Sequence, residues 1–209
     1  MSSSSGRKTV TLVLGGAQSG KSYYAQQLAA GFERVTFIAT ARASDAEMRK
    51  KIARHRRERP GTWRTVEAPL DLCTRIRTES QDAEAVLIDC LTVYVSNVMA
   101  RTKRSSGDFE HYIEEVVAAI QAARASVIAV SNEVGSGVVP PYRSGRVFRD
   151  LLGQMNRKVA EIADTVVLMV AGLPVTVKEE KTGRAWDPLS ANVKASPILE
   201  RGNGVRKGH

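Results

Sequence analysis

Short runs that are apolar at nearly every position recur along the chain: Thr9–Leu14 (TVTLVL), Val35–Ala39, Ala85–Cys90, Ser126–Ser131 and Thr165–Ala171, with Trp63–Glu67 read as a further strand. A strand with one face in water alternates apolar and polar residues. Runs that do not alternate predict strands covered on both faces. Between them, Ser22–Ala30, Asp45–Arg59, Asp108–Arg124 and Val147–Ala163 read as helices, the second opened by the capping-box pattern Ser44-x-x-Glu47. Strand–helix alternation predicts an α/β fold, a mostly parallel twisted sheet flanked by helices. No internal repeat is present. Met1–Lys8 reads as a mobile polar arm and residues 9–177 as one domain. From Lys178 onward Lys, Glu, Gly, Asn and Pro dominate and periodicity fades. Residues 178–209 are therefore expected to form a mobile extension outside the core, whose removal leaves the core folded.

Composition narrows the partners. At 209 residues and 43% hydrophobic content the chain can fill one α/β domain, and its 5% aromatic content puts the core on Val, Ile, Leu and Ala. A formal charge of +9 favours polyanions such as nucleotides, nucleic acid or an anionic membrane. The two cysteines, Cys73 and Cys90, form no CxxC or Cys/His cluster, so neither a disulfide framework nor a zinc site is expected, and a reducing cytoplasm is the natural compartment. The opening MSSSSGRK has no apolar core of a secretory signal, and no run reaches the ~20 apolar residues that span a bilayer, so no membrane anchor is expected.

The sharpest chemical signal is Gly15-Gly16-Ala17-Gln18-Ser19-Gly20-Lys21-Ser22, which fits G-x-x-x-x-G-K-[ST] and lies between an apolar strand and a helix. Glycines let the backbone curl so that successive N–H groups face phosphate oxygens, and the following helix adds the partial positive charge of its N-terminus. Lys21 is placed to reach the β and γ phosphates, and Ser22 to put its hydroxyl on Mg²⁺. The fold class is thus P-loop NTPase-like. A second Mg²⁺ carboxylate should end a later apolar strand, and Asp89, closing AVLID, is the candidate; its other reading is the N-cap of the next helix. No N-K-x-D sequence is present, so guanine is not read in the manner of Ras-like GTPases.

Between Arg42 and Arg64 nine cations stand against three acids. The segment reads as a solvated helix face, a nucleic-acid patch or a collar around phosphates, and the scarcity of aromatics for base stacking weakens the second reading. His55 lies in its middle. Flanking cations disfavour the imidazolium and leave a neutral, attacking nitrogen at pH 7, and they would neutralise charge on an attacked phosphate.

Taken in order, GGAQSGKS, Phe37–Thr40, His55–Glu67 (HRRERPGTWRTVE), Val86–Thr92 (VLIDCLT), Ser131–Pro140 (SNEVGSGVVP) and Arg146–Pro174 resemble the bifunctional adenosylcobinamide kinase / adenosylcobinamide-phosphate guanylyltransferase family over about Thr9 to Lys178. Gln18 stands where that family often has Arg. The resemblance implies a P-loop sheet with a small β extension, assembled as a homotrimer. It implies phosphorylation of adenosylcobinamide by ATP or GTP, then transfer of GMP from GTP to adenosylcobinamide phosphate through a guanylylated histidine, with Mg²⁺ and without nucleic acid. Carried over by position, His55 is the nucleophile and Lys21 the catalytic cation. The nucleotide contacts are Gly15, Gly16, Ala17, Gln18, Ser19, Gly20, Lys21, Ser22, Thr40, Arg56, Arg57, Glu58, Arg59, Glu67 and Asp89; Ser22 and Asp89 hold the metal. Glu133 is a candidate base for the kinase step or, equally, a loop cap. The competing functions are a P-loop kinase for another small metabolite, which has no need of His55, and a nucleic-acid-dependent P-loop ATPase, which predicts salt-sensitive, nucleic-acid-stimulated hydrolysis.

Overall fold

The computed structural model describes residues 7–42, 59–102 and 109–179. Seven strands, β1 (Val10–Gly15), β2 (Val35–Ala39), β3 (Arg64–Glu67), β4 (Ala85–Asp89), β5 (Ser126–Asn132), β6 (Thr165–Val170) and β7 (Leu173–Glu179), form one sheet in the order β3-β2-β4-β5-β1-β6-β7. All neighbours pair in parallel except β7, which runs antiparallel to β6. The helices are α1 (Lys21–Ala29), α2 (Leu72–Glu79), α3 (Leu91–Thr102), α4 (Phe109–Ala122) and α5 (Arg143–Ile162).

The non-alternating strands are explained by what covers them. Successive side chains of a strand point to opposite faces. Leu12, Ile38, Val86, Ile88, Val127, Ala129 and Val166 face one way and pack with residues of α2, α3, α4 and α5. Their neighbours Val13, Phe37, Leu87, Ile128, Val130 and Val167 face the other way, with Ala25 and Ala29 of α1 and with Trp63. The expected fold class is therefore the observed one.

Some elements differ from the expectation. The segments that become α2 and α3 carried no clear helical signal. LCTRIRTE is mostly polar, and LTVYVSNVMART is rich in β-branched residues, which stiffen against the preceding turn. Burial of Leu72, Ile76, Leu91, Tyr94, Val95 and Val98 in the core makes them helices. α5 begins at Arg143, four residues before the expected Val147, because its first turn has no apolar residue to announce it. The predicted helix Asp45–Arg59 lies outside the described residues except for Arg59.

β7 also escaped the reading, since Pro174 interrupts its pattern; proline is tolerated here because β7 is an edge strand. The β6–β7 connection is two residues long, with φ of 51° at Ala171 and 85° at Gly172, the left-handed pair that matches the twist of a tight hairpin. The strand runs two residues past the boundary drawn at Lys178. Lys178 is only 7% exposed, and its ammonium donates to the carbonyls of Ala160 and Glu161, both at 3.1 Å. It thereby satisfies last-turn acceptors of α5 and places a cation at the negative end of that helix. Lys8 does the same for α4, donating to the carbonyls of Gln121 and Ala123 at 2.8 Å, while Arg7 pairs with Asp164. Arg7 and Lys8 thus belong with the domain and not with an arm. Residues 1–6 and 180–209, where the rest of the arm and extension were expected, lie outside the described residues.

Lys178→Met keeps the apolar stem and removes the ammonium, leaving two carbonyls short of a donor. It should destabilise the domain by about 1–2 kcal/mol, seen as a fall of roughly 3–6 °C in melting temperature. An unchanged melting temperature would show that the clamp contributes nothing.

Candidate active site

Parallel pairing brings the carboxyl ends of β4, β5 and β1 to one edge of the sheet, where ligands of open α/β sheets bind. The loop leaving β1 has the geometry its glycines allow. A side chain on Gly15 would approach the Met169 carbonyl to 2.9 Å and collide with Ser19, so only glycine fits between β1 and β6. Gly20 has φ 88° as the N-cap of α1, a conformation that opens the loop into the helix. Gln18 also has positive φ, 56°, and its side chain is exposed, consistent with a position that serves through its backbone. The loop rests on the hairpin turn: Gly172 N–H donates to the Ser19 carbonyl at 3.1 Å.

Lys21, the first residue of α1, folds back so that Nζ donates to the Gly16 carbonyl at 3.0 Å, across the concavity of the loop. Ser22 Oγ donates to Asp89 Oδ1 at 3.4 Å. Asp89 ends β4, two strand spacings (~10 Å) from β1, so α1 must lean over the end of β5 to make this contact. Asp89 stands one residue before the start of α3: the Cys90 carbonyl accepts the first bond of that helix, from Tyr94 N–H. A hydroxyl and a carboxylate oxygen in contact are the hard donors Mg²⁺ takes when phosphates supply the remaining ligands. Among the described residues no group of three or more His, Cys, Asp or Glu forms a self-contained metal cage, and a phosphate-completed Mg²⁺ site needs none. The fit to Mg²⁺ is thus good.

Thr40 is not placed as a nucleotide contact. It is fully buried, and its hydroxyl accepts from Cys90 N–H and donates to the Cys90 carbonyl, both at 2.8 Å, while its own N–H donates to the Asp89 carbonyl. Asn97 in turn donates to the carbonyls of Thr40 and Pro69. Thr40 therefore fixes the turn that aims Asp89. Cys90 itself is held neutral: burial, with the Asp89 charge second, pushes its thiol up to about 11.

At the end of β5 the chain reaches Glu133, whose N–H donates to the Gly15 carbonyl at 3.1 Å. Its carboxylate accepts from Gly135 N–H at 2.6 Å, which is the loop-capping arrangement. Behind it lies a buried network that sequence reasoning missed. Ser131 Oγ donates to Asn156 Oδ1 at 2.6 Å, Asn156 Nδ2 donates to the Asn132 carbonyl at 2.9 Å, and Asn132 N–H donates to Thr92 Oγ1 at 2.7 Å. The available signal was an asparagine among the apolar positions of α5, between Met155 and Val159.

Glu67 is exposed at the carboxyl end of β3, four strand spacings (~19 Å) from β1, on the same edge as the glycine loop but beyond the reach of its phosphates. Arg59 lies over the Phe37 ring at 3.4 Å from its centroid and donates to Thr65, on the α1 side of the sheet. His55, Arg56, Arg57 and Glu58 lie outside the described residues.

Comparison with known proteins places this geometry. The sequence pattern of the family described as cobinamide kinase / cobinamide phosphate guanyltransferase matches residues 11–177. The bifunctional adenosylcobalamin biosynthesis protein CobP of Pseudomonas aeruginosa is 41% identical over 172 residues, covering 81% of this chain and 97% of the relative. The bifunctional adenosylcobalamin biosynthesis proteins CobU of Salmonella typhimurium and Escherichia coli are each 38% identical, over 80% of this chain and 98% of the relative. Among solved structures, a type III secretion ATPase superposes on 78% of this chain and 52% of its own at a TM-score of 0.48 and 11% identity. With the family pattern spanning the whole described sheet and the relatives matched almost end to end, the chain belongs to the cobinamide kinase / cobinamide phosphate guanyltransferase family.

Proposed function

We propose that the chain carries out two successive transfers at one nucleotide site: phosphorylation of adenosylcobinamide by ATP or GTP, then transfer of GMP from GTP to adenosylcobinamide phosphate through His55. The observation that carries this reading is the Ser22–Asp89 pair set beside the Lys21 ammonium, in a chain of this family. In the first transfer the hydroxyl oxygen of the aminopropanol arm attacks the γ-phosphorus, the bond to the β-phosphate oxygen breaks, the diphosphate leaves and the hydroxyl proton passes to solvent. Backbone N–H groups of residues 15–20 and the Lys21 ammonium hold the phosphates in line and balance charge on the leaving diphosphate. Bound Mg²⁺, held by Ser22 and Asp89, supplies further neutralisation of phosphate charge.

In the second transfer a ring nitrogen of His55 attacks the α-phosphorus and pyrophosphate leaves. A phosphate oxygen of the acceptor then attacks the phosphorus of the histidine adduct, which forms the diphosphate of adenosylcobinamide-GDP and frees the imidazole. Two displacements replace one difficult one. The further nucleotide contacts in this reading are Arg56, Arg57, Glu58, Arg59 and Glu67, carried over from the family resemblance. The working assembly is a homotrimer in the cytoplasm, with no nucleic-acid partner; among the described residues no helix is long and apolar enough to cross a membrane.

Removing the Lys21 ammonium leaves the β and γ charges on backbone N–H groups alone. Lys21→Ala should lower both activities by on the order of 100-fold or more, comparable to losing a principal transition-state donor. Turnover within a few-fold of wild type would refute the phosphate assignment. Asp89→Asn keeps the shape of the metal site and removes its charge. It should raise the Mg²⁺ concentration for half-maximal activity by roughly 10-fold in both transfers, measured by titrating the metal at saturating nucleotide; a shift in neither would separate Asp89 from the metal.

His55 is tested by labelling. GTP labelled at the α-phosphate should mark the protein at His55 and γ-labelled GTP should not, and the adduct should be a phosphoramidate, labile in acid and more durable in base. His55→Asn should lose both the label and guanylyl transfer while retaining phosphorylation of adenosylcobinamide. Guanylyl transfer intact in that variant would require another nucleophile or direct transfer.

A further inference from the structure

We infer that the loop from Gly135 to Tyr142, on the rim of the nucleotide site, is the seat of the corrin macrocycle, with Val138, Val139 and Tyr142 as its apolar floor. The inference rests on the proposed function for the identity of its ligand and adds where on this chain that ligand sits.

The side chains are unusually placed for a soluble surface. Val138 is 95% exposed, Val139 58% and Tyr142 77%, three large apolar groups within five residues. Single exposed apolar residues are ordinary, but a contiguous group marks a contact surface. The loop that carries them is not slack. At its start the Glu133 carboxylate takes the Gly135 N–H. At its end Arg146, in the first turn of α5, donates Nη1 to the carbonyls of Pro140 at 3.1 Å and Pro141 at 2.7 Å. Gly145 permits this approach, since a side chain there would come within 2.7 Å of the Pro140 ring. Two prolines further restrict the backbone. The segment is thus held at both ends while its apolar side chains face outward, the arrangement of a preorganised platform.

Its position selects the occupant. The loop continues directly from Glu133, whose N–H is bonded to Gly15 at the root of the phosphate loop. Val138 is five residues on, within ~17 Å of Glu133 even if the chain were fully extended. An acceptor whose hydroxyl must meet the γ-phosphate has to rest its bulk beside that loop. A corrin is a broad ring with apolar faces, so its face matches the valines and tyrosine. Of the other exposed apolar residues, Tyr23 stands singly on α1, and Val170, Leu173 and Val177 lie on the β6–β7 hairpin, which flanks the phosphate loop on the side away from the Ser22–Asp89 contact.

The test uses the full chain and equilibrium dialysis of cobinamide, followed by the visible absorbance of the corrin, with a non-hydrolysable GTP analogue present. The double variant Val138→Ser/Val139→Ser should raise the dissociation constant for cobinamide at least tenfold. Arg146→Ala, which frees the loop without touching the apolar side chains, should raise it by a smaller factor. Affinity for the GTP analogue should stay within twofold, and the mass by light scattering should not change. Cobinamide affinity unchanged in the double variant overturns the inference while leaving the proposed function in place. A changed mass with unchanged cobinamide affinity also overturns it, and assigns the loop to a contact between copies of the chain. No cobinamide retained by the wild-type chain overturns both readings.

Discussion

The parallel pairing of β4, β5 and β1 is the constraint on which the rest depends. Because the three strands run the same way, their carboxyl ends present Asp89, Asn132 and Gly15 side by side along one edge. The register fixes the spacing, and α1 closes it by bringing the Ser22 hydroxyl to the Asp89 carboxylate. Were β4 alone reversed, Asp89 would lie on the edge opposite the glycine loop. The helices on both faces serve this arrangement, since a sheet of parallel strands has to be covered on each side.

A sheet sets positions to within a strand spacing, and phosphoryl transfer needs finer control. Buried polar contacts supply it. Thr40 clasps the Cys90 backbone from β2 and so aims Asp89. Ser131, Asn156, Asn132 and Thr92 tie the end of β5 to α3 and α5 through hydrogen bonds that satisfy one another. Networks of this kind rigidify when complete and weaken a core when broken. The hairpin turn at Gly172 braces the phosphate loop from the other flank. Charge completes the frame, with Lys8 and Lys178 at the carboxyl ends of α4 and α5.

How much of this the sequence discloses depends on the kind of signal. The phosphate loop is legible because its chemistry needs fixed residues at fixed spacing, and the central strands because two-sided burial leaves an unbroken apolar run. α3 is not, because Val93, Val95 and Val98 favour strand and only their packing against α5 makes them helical. β7 is obscured by Pro174 and by exposure of one of its faces. Thr40 was placed in the site by its position in a matched segment, and its fully buried, doubly bonded hydroxyl gives it a different task. Asn156 announces its burial only by falling among the apolar positions of α5, and nothing local names the loop it organises. The contact between Ser22 and Asp89 is legible only jointly, from a motif and a template that separately leave Asp89 open to helix capping.

β1 carries the phosphate loop, yet its partners in the sheet are β5 and β6, with Val10 beside Val127 and Thr11 beside Thr165. β1 is therefore an interior strand whose two neighbours both come from far later in the sequence. Contacts so distant in sequence are slow to form. A chain that stops short of β6 has the complete phosphate motif on a strand with a partner on one side only. Nucleotide binding in this protein thus draws on residues far beyond the motif, since a chain truncated before about residue 170 lacks the Gly172 N–H that braces the Ser19 carbonyl.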